Sequence, residues 1–318
     1  MKLLLILLAF AFPLTTLSQP YPSKPVRLIV TFPPGGSTDT IARIFAPRLG
    51  ERLGQPVVID NRPGAGGAIG IDATLKSPAD GYTIVLAAAG ALTIIVHFPN
   101  RPAYDPTKDL APITMIGTSP FLLVSENGFP QQTASQLIDF AKKNPGKLAY
   151  ASGGNGTAMH LSGEMFKLMA GVDLVHVPFK GSGPAVTAAA QGQPPLAFAD
   201  ITSALPLLKA GRVKALAVLS KERSSFLPEV PTLAESALPG YEAIGWFGLL
   251  APAGTPAPVV SRLAAETAAV MRQPDIREKL AAAALEPWVN TPEEFLTFIR
   301  TETAKWGRVI RDSGAKLE

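Results

Sequence analysis

Two segments of the chain share one construction: an apolar run, a Gly-Gly pair, small hydroxyl or amide residues, then a helical pattern. The first is Pro34-Gly35-Gly36-Ser37-Thr38-Asp39 and the second Gly153-Gly154-Asn155-Gly156-Thr157. A turn of this kind leaves the first backbone N–H groups of the following helix unpaired and aims the positive end of the helix dipole outward, which favours an anion. Neither segment contains Lys or Arg, so recognition through N–H groups and hydroxyls suits a carboxylate better than a nucleoside triphosphate. Taken singly, each segment reads as well as an ordinary β-α turn with Ser, Thr or Asp capping the helix. Their recurrence at corresponding places in the two halves favours the anion reading. Glycine at 36 and 154 is expected to be required by both the turn and the close approach of a ligand.

Other chemistries fit less well. After Gly64 and Gly66 a dinucleotide fingerprint needs glycine where Ile69 stands, and after Gly154 and Gly156 it needs glycine where Met159 stands. No Gly-Lys-Ser/Thr phosphate loop and no Gly-x-Ser-x-Gly elbow occurs. The three histidines are His97, His160 and His176, and an exported hydrolase using Ser152 or Ser182 with His160 or His176 is the alternative from another class. His160 and Glu164 lie one helical turn apart, too few ligands for a metal, so neither metal nor cofactor is expected. Asp200 follows an apolar strand and is read equally as a helix cap or as a group facing a cleft.

These residues need elements to hold them. Val26 to Phe32 reads as a buried strand, and Ile41, Ile44, Phe45, Leu49 and Leu53 keep helical spacing up to Gly54, with Pro47 predicting a kink or early break. Strands over 57–59 and 82–88 flank a helix over 68–75, giving the β-α-β-α-β order of a parallel sheet. From Phe121 the alternation restarts: strands over 121–124, 148–152, 172–177, 196–199 and 213–218, with helices over 134–143, 157–169, 184–190 and 204–210. A strand over 244–250 leads into helices over 257–271, 275–284 and 292–310, expected to pack back on the first half.

Composition narrows the setting. The 318 residues include no cysteine, which removes disulfides and thiolate chemistry, and the net charge of +4 is scattered without a basic run, leaving no nucleic-acid footprint. Met1 and Lys2 precede an apolar run from Leu3 to Phe12, with Thr16 and Ser18 ahead of Gln19. This is the pattern of a signal peptide over 1–18 cleaved after Ser18, and the run falls short of the ~20 residues that span a bilayer. The mature chain is therefore expected in the periplasm or outside the cell.

Eight motifs in order resemble the Bug family of periplasmic receptors of the tripartite tricarboxylate transporter type. They are Tyr21-Pro-Ser-Lys-Pro-Val-Arg27, Phe32-Pro-Pro-Gly-Gly-Ser-Thr-Asp39, Asn61-Arg-Pro-Gly-Ala-Gly-Gly67, Asp80-Gly-Tyr82, Tyr104-Asp-Pro-Thr-Lys-Asp109, Tyr150-Ala-Ser-Gly-Gly-Asn-Gly-Thr157, His176-Val-Pro-Phe-Lys-Gly-Ser182 and Ala251-Pro-Ala-Gly-Thr-Pro256. The resemblance spans essentially the whole mature chain. It implies an α/β Venus-flytrap fold of two lobes, each a mostly parallel sheet flanked by helices, with limits at 19–121 plus 246–318 and at 122–245.

It further implies a binding protein, not an enzyme, that holds a carboxylate between two β-α loops with ordered waters and serves membrane permease subunits as a monomer. Presentation of the ligand to a sensor protein is a variant of the same reading. Carried over by position, the site comprises Gly35, Gly36, Ser37, Thr38 and Asp39; Gly153, Gly154, Asn155, Gly156, Thr157 and His160; Ala89 and Gly90; Lys180, Gly181 and Ser182; and Asp200. This chain departs from many relatives in Phe198-Ala199-Asp200, which displaces the acid by one residue, in Pro194-Pro195, and around Ser125-Glu126-Asn127.

Overall fold

The fold is that of a computed structural model describing residues 21–98 and 103–316, so the expected leader lies outside the described residues. The run at the start of the first half is buried on both faces, as a central parallel strand must be, and forms β1 (Val26–Val30). Helix α1 (Ser37–Leu53) follows and ends at Gly54, whose φ of 74° makes the left-handed cap. The early break does not occur: α1 continues past Pro47 to Leu53. Phe45, Ala46, Leu49, Gly50 and Leu53 on either side of it are buried, and this packing offsets the roughly 3 kcal/mol that an internal proline costs.

β2 (Val57–Asn61), α2 (Ala68–Leu75) and β3 (Thr83–Ala88) complete the unit, with β2 and β3 both parallel to β1. A short π-helical turn, Gly90–Ile94, comes directly after β3. The next element is longer than its sequence pattern predicts: β4 (Leu110–Glu126) is one strand of 17 residues. Pro112 and Pro120 read as breakers, yet the strand tolerates Pro112 because its register shifts there, where a ladder hydrogen bond is not required.

The second half contains α3 (Ala134–Lys143), β5 (Ala149–Ser152), α4 (Ala158–Ala170), β6 (Val175–Pro178), α5 (Ser182–Ala190), β7 (Leu196–Asp200), α6 (Ile201–Lys209) and β8 (Val213–Val218). A short α7 (Leu233–Ser236) precedes β9 (Ile244–Pro252), and α8 (Ala257–Met271), α9 (Pro274–Ala282), β10 (Glu286–Pro287) and α10 (Pro292–Ser313) close the chain. The strands run β2-β1-β3-β9-β4-β7-β5-β6, with β8 and β10 also pairing with β4.

β4 joins the two lobes. Its Leu110–Pro120 stretch pairs with β9, whereas Phe121–Glu126 pairs with β7 and β8. The outer strands of each lobe are parallel, as expected, but all the pairs at the centre are antiparallel. The reason is that β4 leads out of the first lobe while β9 returns to it.

One apolar cluster fills the first lobe between the sheet, α1 and α8, and another fills the second lobe around α5 and β7. A third, containing Phe166, Phe198, Trp246, Phe295 and Trp306, spans both lobes. Helix α10 contributes to it and contacts β4, the π-helical turn and α4, so it rests on both lobes and not on the first alone.

Candidate functional site

Gly35 takes a φ of 94° and Gly36, the N-cap of α1, a φ of −90° with no side chain to cap the helix. The N–H groups of Ser37 and Thr38 therefore find no protein acceptor among the described residues. Across the cleft, Thr157 caps α4: its hydroxyl accepts from His160 N at 3.2 Å and donates to Gly154 O at 2.7 Å, leaving Ala158 and Met159 N–H unpaired. Gly181, φ 114°, starts α5 with no side-chain cap, which frees Ser182 and Gly183 N–H. Asp200 caps α6 by accepting from Ser203 N at 2.8 Å, and its own N–H donates to Ser182 Oγ at 3.1 Å.

All four helix starts open on one cavity of about 200 Å³. Of the residues singled out from sequence, Gly35, Gly36, Ser37, Thr38, Ala89, Gly90, Thr157, Lys180, Gly181, Ser182 and Asp200 line it. Its walls are otherwise apolar, with Phe32, Phe121, Met159, Trp246 and Phe247 the large side chains. Trp246 is held from behind, since its indole N–H and that of Trp306 both donate to the buried Glu302, at 3.3 and 3.0 Å. Lys180 is exposed at the cavity edge and makes no ion pair among the described residues.

Six expected residues do not reach this cavity. Gly153, Gly154 and Asn155 line a second, more open space of about 980 Å³ in the same cleft, with Pro63 to Ile69 and Tyr104 opposite. Asp39 turns away from the cavity: its carboxylate accepts from Gly35 N at 3.1 Å, Arg43 Nε at 2.7 Å and Asn61 Nδ2 at 3.0 Å. Burial works to raise this carboxyl, but those hydrogen bonds and the charge of Arg43 outweigh it and hold the pKa below its ordinary value. Asp39 thus ties the first loop together. Gly156 and His160 line neither space, and His160 Nδ1 instead accepts from Gly156 N at 3.3 Å.

Several wall residues escaped the sequence reading. Phe32 and Pro33 adjoin the first loop and could have been found by contiguity, whereas Phe121, Trp246 and Phe247 carry only the signature of core strands. They reach the site because β4 and β9 pass beneath it.

Comparison with known proteins gives this geometry a context. Residues 41–315 match the family described as the tripartite tricarboxylate transporter family receptor, TctC. The chain belongs to this family. Protein BugT of Bordetella pertussis is 39% identical to this TctC-family chain over 299 residues, 94% of this chain and 92% of BugT. The structure of Rpa4515 from R. palustris with adipate superposes with a TM-score of 0.89 at 36% identity, covering 93% of this chain and 99% of that one. MatC (Rpa3494) from Rhodopseudomonas palustris with bound malate gives 0.85 at 32% identity, covering 91% and 100%.

The TctC relatives are solute-binding proteins and not enzymes, so the two-lobed fold and the non-enzymatic reading stand. The hydrolase alternative loses its nucleophiles as well. Ser152 does bond His176 Nε2 at 2.7 Å, but it is fully buried and lines neither space. Ser182 bonds Asp200 N and no histidine among the described residues. No helix among the described residues is long and apolar enough to cross a membrane.

Proposed function

We propose that this TctC-family receptor captures a small carboxylate in the 200 Å³ cavity and presents it to membrane permease subunits. The observation that carries the reading is the convergence of four helix N-termini, with unpaired N–H groups from both lobes, on one apolar-walled space. A carboxylate matches those donors, and the cavity is smaller than the roughly 300–1,000 Å³ that take drug-sized ligands. Adipate and malate in related receptors support the same class. The contact set is Gly35, Gly36, Ser37, Thr38, Ala89, Gly90, Thr157, Lys180, Gly181, Ser182 and Asp200.

The chain works as a periplasmic monomer beginning at Gln19, with lobes at 19–121 plus 246–318 and at 122–245. A ligand touching both lobes binds the closed arrangement more tightly, so the population of closed receptor reports occupancy. The switch of β4 partners at Pro120/Phe121 supports a hinge there.

A thermal-shift screen across C4–C6 dicarboxylates, aromatic acids and amino acids tests the reading. A ligand at 100 times its Kd adds about 2.7 kcal/mol of stability. Failure of every carboxylate to stabilise the chain would overturn it. Intact mass of the exported protein checks the Ser18–Gln19 cleavage, and co-purification with permease subunits checks the partner.

A further inference from the structure

Behind the second anion loop lie two histidines that no ligand-facing role accounts for. His160 is 3% exposed and its ring stacks on that of His176, centroids 4.1 Å apart and planes 16° from parallel. Both rings connect to backbone amides of the loop. Gly156 N donates to His160 Nδ1 at 3.3 Å; Gly154 N donates to Ser152 Oγ at 3.2 Å, and Ser152 Oγ meets His176 Nε2 at 2.7 Å.

We propose that His160 and His176 are positioning residues, a stacked pair that grips the Gly154 and Gly156 amides from behind and so sets the loop that presents the start of α4 to the carboxylate. This rests on the carboxylate reading above. A backbone amide can only donate, so His160 Nδ1 is an unprotonated acceptor and the ring carries its proton on Nε2. Ser152 Oγ accepts from Gly154 N and keeps both a second lone pair and its own hydrogen, so its bond to His176 Nε2 is made with either neutral tautomer of that ring. With these two amides drawn inward, the N–H groups of Ala158 and Met159 at the next turn are left for the cavity.

The surroundings keep both rings neutral. Glu164 on α4 is the carboxylate facing them, and it already accepts from Tyr150 OH at 2.8 Å and from Lys167 Nζ at 3.1 and 3.0 Å. Tyr241 donates to Ser162 O and offers no charge. Burial, with the charge of Lys167, brings His160 down to about 4. Burial, then the neighbouring His160, brings His176 down to about 3, with Lys167 adding to the fall and Glu164 opposing it.

The test compares His160→Asn, whose side-chain oxygen reaches the place of Nδ1 and takes no proton, with His160→Ala. Amide hydrogen exchange in the ligand-free chain should quicken at Gly156 by about tenfold in the alanine variant and return to the wild-type rate in the asparagine variant. Affinity for adipate, the probe, should fall about tenfold and recover in parallel, and ¹⁵N spectra of wild type should show His160 neutral and protonated on Nε2 at neutral pH. Unchanged exchange in His160→Ala, no rescue by asparagine, or a His160 protonated on Nδ1 would overturn the proposal. Wild-type protein that ignores adipate would exclude adipate alone and leave the carboxylate reading to the thermal-shift screen, while exchange and the His160 tautomer decide the histidine role.

Discussion

A Cβ placed on Gly90 would stand 2.8 Å from the carbonyl oxygen of Gly156. These glycines come from different lobes, and a second contact of the same kind brings Gly66 within 2.9 Å of Asn155 O by the same measure. The lobes therefore meet backbone to backbone, beside the cavity. Gly90 has no positive φ, so it is space and not conformation that demands glycine there.

Gly90→Ala should hold the lobes apart. Small-angle scattering with saturating carboxylate is expected to show a radius of gyration close to the ligand-free value, and calorimetry an affinity lower by about tenfold or more. Wild-type closure in the variant would show that the contact is not needed.

The two glycines of the first loop have separable roles. Gly35, at φ 94°, makes the turn, so Gly35→Ala should cost about 1–2 kcal/mol of stability. Gly36 has an ordinary extended conformation with open space where a Cβ would point, contrary to the expectation that the turn requires it. Gly36→Val should leave unfolding within about 0.5 kcal/mol of wild type while removing ligand binding by filling the cavity. Gly154 keeps the turn requirement, with φ 120°, but the close approach there is of the protein's own Phe179 O, 2.9 Å from the would-be Cβ, and Gly154 does not line the cavity. Urea denaturation and calorimetry together separate the three positions.

Thr38 and Thr157 both line the cavity, but only Thr157 spends its hydroxyl on the protein. Thr157→Val should lose about 1 kcal/mol of stability with the helix cap and weaken binding through a loosened loop. Thr38→Val should leave stability unchanged and cost roughly 1–3 kcal/mol of binding if its hydroxyl meets the carboxylate. Equal stability loss in both variants would contradict the difference in their partners.

Acid should destabilise the chain through His160. Its folded pKa of about 4 lies below the roughly 6.5 of an unfolded histidine, so below pH 6.5 the unfolded chain takes up a proton that the folded chain refuses. Stability is then whole above pH 6.5 and falls as pH drops toward 4. Between pH 7 and 4.5 this contributes about 2 to 3 kcal/mol. His160→Asn should lose less stability than wild type over that interval by about this amount, measured by urea denaturation at both pH values. Identical pH dependence would mean that His160 titrates normally.

Sequence alone carried the two Gly-Gly loops, the β-α alternation of each half and the family, because turn glycines, apolar periodicity and fixed motif spacing are local properties of a chain. It could not reveal that Leu110 to Pro120 is strand, since Pro112 and Pro120 look like breakers until their partners in β9 are known. It also could not separate Thr38 from Asp39, neighbours in one motif. One faces the cavity while the other binds Gly35, Arg43 and Asn61. The apposition of Gly90 with Gly156 and the grip of His160 on the second loop join residues whose types are unremarkable in isolation. Only the folding of two lobes around the crossing strands β4 and β9 brings four helix starts to one cavity, because their meeting depends on long-range pairing that no local pattern encodes.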